Sequence, residues 1–183
     1  MFRNWVSLGL SGVAGVSLLL IAPVLSESVS VEAANENSIA TELSDELSAE
    51  AQIRQLTHQW FSAWSPGSGS IDWDAMGELF VQEAGKLLVF DDADGQVVVL
   101  ESWEDYRDTW EPFMAQFSEW QIEPEGDVHV LTSGNLATTS FTLTGGGAAQ
   151  DGSEISFRQR GTHVWQHRNG RWEIVHEHLT TDR

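Results

Sequence analysis

The stretch Ile155–Thr180, ISFRQRGTHVWQHRNGRWEIVHEHLT, constrains this chain more than any other. Side chains alternate over Ser156–Gln166, break at His167–Arg171, and alternate again over Trp172–Thr180. That is the pattern of a β-hairpin. Asn169-Gly170 sits at the break, and these two residue types accept the positive φ that a tight hairpin turn requires. Strict alternation places Trp172, Ile174, His176 and His178 on one face of the second strand. Glu173, Val175, Glu177 and Leu179 take the other. On the first strand, Arg158, Arg160, Thr162 and Val164 oppose Phe157, Gln159, Gly161, His163 and Trp165. Both strands mix large apolar groups with ionisable ones, which fits a pair of strands closing over a partly polar cavity.

The net charge of −19 comes from 28 acids against 9 basic residues, with Lys86 the only lysine. Such a surface repels phosphate backbones and anionic lipid, so no nucleic-acid partner is expected. The absence of cysteine excludes disulfides, thiolate metal sites and a cysteine nucleophile. Nine Trp and eight Phe in 183 residues supply the surface for one ordinary core.

Residues 1–33 read as an export signal, or as an uncleaved N-terminal anchor. Arg3 precedes the uncharged, apolar Val6–Leu25, and Val31-Glu32-Ala33 offers a cleavage site. Export to the periplasm or the outside is therefore expected, with no membrane contact beyond this segment. Asn35–Leu47 is acidic and Ser-rich, an expected tether over 34–47 or an extension of the helix that follows, with the folded domain at 48–183. Ser48 is placed as the N-cap of a first helix carrying Ile53, Leu56, Trp60 and Trp64 at helical spacing. Asp72 caps a short second helix and Ser102 a third, Trp103–Phe117, with Tyr106 and Trp110 inward and Pro112 as a kink site. Lys86–Phe90 and Gln96–Leu100 read as strands around the turn Asp91–Gly95. From Glu119 to the end the pattern reads as β, with Gly145–Gly152 as a flexible loop. The order α-α-β-β-α-β-β-β-β is that of an α+β domain with helices on one sheet face.

Trp60 and Trp64, the segment DWDAMGELF (72–80), the run Arg160–Trp165 and the closing Asn169–Thr180 together resemble the NTF2-like superfamily, in its SnoaL-like and ketosteroid-isomerase-like branch. The likeness spans Ser48 to Thr181. It implies an α+β cone, a strongly curved antiparallel sheet wrapped around three helices with a central pocket. Members with this fold serve as isomerases, cyclases, dehydratases, hydrolases, plain ligand binders or dimerisation domains, so the fold alone does not choose among them. It also implies that Arg160, His176 and His178 look into the pocket. There an arginine and imidazoles would bind an oxyanion or pass a proton, with Thr162 beside them. Asp91, after the first strand, stands where a general base is expected. Trp60, Trp64, Tyr106 and Trp110 are expected as aromatic walls. The sole tyrosine, Tyr106, falls on the third helix instead of the first, which argues against ketosteroid isomerase chemistry itself. His176 and His178 with Glu101 or Asp91 make an incomplete metal set that Arg160 would oppose, so neither metal nor cofactor is expected. Trp165 and Phe157, facing away from Arg160, are expected on a convex surface that forms a homodimer. The reading is an exported protein that binds, and in its enzymatic form transforms by acid–base chemistry, a small organic molecule; the alternative is a non-catalytic dimerisation or interaction domain with a residual pocket.

Overall fold

The computed structural model describes residues 27–92 and 96–182. The expected leader lies mostly outside these residues, as does the tip of the turn, 93–95. The chain divides into two units, 1–39 and 40–183. The described residues of the first are helical, and the whole sheet and two of the helices lie within the second.

Among the described residues there are three helices and seven strands: α1 (Glu27–Ala63), α2 (Trp73–Gly77), β1 (Leu88–Asp91), β2 (Val98–Leu100), α3 (Trp103–Met114), β3 (Phe117–Pro124), β4 (His129–Ser133), β5 (Leu136–Ala149), β6 (Glu154–Arg168) and β7 (Arg171–Thr181). α1 passes through Asn35–Leu47 and Ser48 without a break, so Ser48 is not a cap. The other two caps form as the sequence indicates. Asp72 accepts from the Ala75 N–H at 3.0 Å and Ser102 from the Asp105 N–H at 3.0 Å. Pro112 sits in the last turn of α3, which ends at Met114, and does not divide the helix.

The sheet runs β2-β1-β7-β6-β5-β3, with β4 also on β5. All pairs are antiparallel except β1–β7, which is parallel. One strand more is present than the sequence order indicated. The chain turns aside between Pro124 and His129, so that β3 and β4 pair with opposite halves of β5. The hairpin turn is as read, with Asn169 at φ 51° and Gly170 at φ 82°.

Two local features decide where side chains point. In the β6–β7 ladder Val164 pairs with His176 but Trp165 pairs with Ile174, leaving Val175 unpaired. This is a β-bulge, and one extra residue reverses the alternation beyond it. Trp172 and Ile174 therefore share the helix-covered face with Glu177 and Leu179, while His176 and His178 fall on the outer face. The second feature is Gly145–Gly147, which is strand and not loop. These residues pair with β3 on one side and β6 on the other. A Cβ at Gly147 would lie 2.1 Å from the Glu119 carbonyl oxygen, and one at Gly146 would lie 2.4 Å from that of Ile155. Only glycine lets three backbones approach so closely in the sheet.

The helices cover one face. Trp60 of α1 packs against Phe141 of β5 and His163 of β6, at ring separations of 5.5 and 4.8 Å. Tyr106 of α3 reaches Glu177 of β7. Ile53, Trp60, Phe80, Tyr106, Leu143, Trp165 and Ile174 are all buried in this layer.

Candidate functional site

A cavity of about 860 Å³ opens between the helices and the curled half of the sheet. α1 contributes Trp60 to its wall, with Trp64 directly after it, and α3 contributes Trp110 and Phe113. β3 gives Trp120 and Ile122, β5 Leu143, and β6 Glu154 through Phe157 with Gln159. Asp91 of β1 and Leu179 and Thr181 of β7 complete the lining. The walls are mostly apolar, with aromatic rings packed edge to face: Trp64 on Trp110 at 82° and Phe113 on Trp120 at 86°. The indole N–H groups of Trp60, Trp64, Trp110 and Trp120 meet no aligned oxygen acceptor among the described residues, whereas Trp165, outside the cavity, donates to Thr139.

Among the described residues, Asp91 is the one ionisable group deep in this wall. Pairing with Leu179 across the parallel β1–β7 ladder aims it inward, and it is 6% exposed. Gln159 donates to it from 3.4 Å and also to Thr181 from 3.2 Å. Burial pushes its carboxyl up to about 7, helped by the charges of Glu177 and Asp92 and only partly offset by Gln159. An acid at that value exchanges protons readily near neutral pH.

Behind the wall lies a second polar group. Glu177 and His163 are fully buried, with His163 Nε2 3.1 Å from Glu177 Oε2. The imidazole is turned so that neither ring nitrogen has an aligned hydrogen bond among the described residues. The Tyr106 hydroxyl donates to Glu177 Oε1 at 3.1 Å. Burial, and then the charge of Glu177, holds the Tyr106 phenol far above its ordinary value, so it stays a donor.

The placements divide the expected site residues. Asp91, Trp60, Trp64 and Trp110 meet in the cavity, and Tyr106 stands one layer behind it. Arg160, Thr162, His176 and His178 do not meet there. Arg160 points outward to Asp182, with Nε 3.3 Å from Oδ1. His178 is exposed beside Thr180, and His176 contacts the Leu88 carbonyl oxygen through Nδ1. The bulge at Val175 accounts for the histidines. For β6 the apolar set Phe157 and Trp165 marks the inner face, and Arg160 and Thr162 belong to the other. Trp165 is accordingly buried in the core and Phe157 lines the cavity, so neither offers a convex dimer surface. Sequence reasoning missed Gln159, His163 and Glu177. One signal for them is present: the apolar phase of β7 switches between Ile174 and Leu179, as a bulge requires. Among the described residues no three His, Asp or Glu side chains gather as a metal site would need.

A family model described as "SnoaL-like domain" matches residues 53–181. The chain belongs to the SnoaL-like family. Solved structures place this SnoaL-like domain in the NTF2-like fold. An NTF2-like superfamily protein from Salmonella enterica shares 16% identity at a TM-score of 0.65, covering 74% of this chain and 92% of its own. A type 2 hexachlorocyclohexane dehydrochlorinase shares 10% at 0.63, covering 76% and 88%. The association domain of C. elegans CaMKII shares 19% at 0.54, covering 75% and 98%. At such identities the likeness is one of fold. No curated protein matches the chain.

Proposed function

We propose that this SnoaL-like domain binds a small organic molecule in its aromatic cavity and exchanges a proton with it through Asp91. The observation that carries the reading is a buried carboxyl held near 7 at the wall of an 860 Å³ cavity. Small-molecule sites are built this way, with apolar walls and few polar groups. The chemistry within reach is acid–base: proton abstraction, elimination or isomerisation at a group brought against Asp91. The fold likeness to a dehydrochlorinase supports that class. The apolar, Arg3-led N-terminal segment supports export.

Native mass spectrometry of the protein from its own host tests this. A bound organic molecule is expected in the parent and, unchanged, in Arg160→Ala and His178→Ala. It is expected to be lost in Thr181→Trp, which fills the cavity from the face that Thr181 shares with Leu179 beside Gln159. An empty parent protein removes the reading.

Self-association through the outer sheet face is a second reading, and a row of outward side chains favours it. Leu88, His176, Val164, Thr138 and Leu131 stand opposite one another across five strands, and Leu131 is 75% exposed. The fold likeness to an association domain agrees. Light scattering should find a dimer that Leu131→Asp converts to monomer; a monomeric parent would end this reading.

A further inference from the structure

We infer that the occupant of the cavity is an organic cation, an amine or quaternary ammonium on an apolar body, with Asp91 as its counter-ion. This rests on the proposed reading of the cavity as a ligand site. Three observations carry it. First, Asp91 is buried without a cation: among the described residues its side-chain partner is the Gln159 amide at 3.4 Å. The described arginines go to other acids, among them Arg54 to Glu50, Arg107 to Glu111, Arg158 to Glu125 and Arg171 to Glu78. A buried carboxylate left unpaired is unfavourable, and a bound cation relieves it.

Second, among the described residues no Lys, Arg or His lines the cavity, and its other charged lining group is Glu154 at the rim. An anionic ligand would meet only like charge. Third, six aromatic rings form the wall, and ring faces attract ammonium groups, most strongly when water is excluded. The acidic surface of the whole chain adds a field of the same sign.

The groups facing Asp91 are all acidic or neutral at close range. Glu177 and Asp92 raise it, Gln159 lowers it, and Tyr106 and His163 sit beyond Glu177. A cation binds the ionised carboxyl, so its affinity should be level above pH 7. Below that pH it should weaken about tenfold per unit.

The probes are naphthylmethyl-trimethylammonium, its uncharged carbon isostere neopentylnaphthalene, and naphthylacetate, titrated by calorimetry at pH 8 and pH 5.5. The cation should bind the parent at least about tenfold more tightly than the isostere at pH 8, and lose about that advantage at pH 5.5. In Asp91→Asn the cation should bind about tenfold or more weakly than to the parent at pH 8, and equally at both pH values, keeping only its attraction to the rings, while the isostere binds as before, which shows an intact cavity. Tightest binding by the isostere or by naphthylacetate overturns the inference and leaves the cavity reading standing. So does a cation affinity at pH 8 that Asp91→Asn leaves unchanged. Silence from all three probes overturns the inference and the ligand-site reading together.

Discussion

At pH 8 the Asp91→Asn protein is expected to be more stable than the parent, and at pH 4 the two are expected to be equal. The folded carboxyl holds its proton up to about 7, against 3.8 for the ordinary group. Between those values the folded chain carries a proton that the unfolded chain has released. Stability of the parent therefore falls as pH rises from about 4 to 7 and is level above that. At about 1.4 kcal/mol per pH unit, the gap between 3.8 and about 7 sets an upper limit of about 4 kcal/mol. Asparagine keeps the shape and a partner for Gln159 but has no charge to bury, so a gain of about 2–4 kcal/mol is expected at pH 8. Denaturant unfolding at pH 4, 6 and 8 reads it directly. A variant no more stable than the parent at pH 8 would mean that Asp91 is not held in the apolar wall. A site residue whose removal stabilises the fold is what a functional acid in a greasy cavity should look like.

Gly147→Ala is expected to lose about 2–4 kcal/mol of stability, a large effect for one methyl group. Its Cβ would stand 2.1 Å from the Glu119 carbonyl oxygen. That atom is backbone in β3 and cannot rotate aside. Relief requires the β3–β5 ladder to open, and that ladder carries Trp120 and Ile122 into the cavity. A thermal melt gives the loss, and binding of a cavity probe should weaken with it. A flexible-loop glycine behaves oppositely, because alanine there stiffens the unfolded chain and is neutral or mildly stabilising. An unchanged melting temperature would return Gly145–Gly147 to the loop class.

The contrast between these glycines and the hairpin shows what the sequence made legible. Asn169-Gly170, the Ser102 and Asp72 caps and the tryptophan spacing of α1 are local signals, and each appears as read. The faces of β7 were not legible by strict alternation, because a bulge is a tertiary accommodation that one unpaired residue, Val175, provides. His176 and His178 were carried to the wrong face by that single step, and Arg160 followed them. Gly145–Gly147 read as loop because glycine signals freedom locally, while here it permits three strands to crowd. Asp91 was legible as an acid after a strand, but its inward aim comes from a parallel pairing with β7 that no local pattern announces. The aromatic wall was legible and its charge was not. The resemblance implied an arginine and imidazoles inside, and the structure puts the Asp91 carboxyl there, with Glu154 at the rim.

The most direct test is a ¹³C NMR titration of the Asp91 side-chain carboxyl, assigned by its absence in Asp91→Asn. A midpoint near 7 is expected, set by burial and by Glu177. A midpoint at the ordinary aspartate value of about 4 would place the group in water and contradict a buried, proton-exchanging acid at the cavity wall.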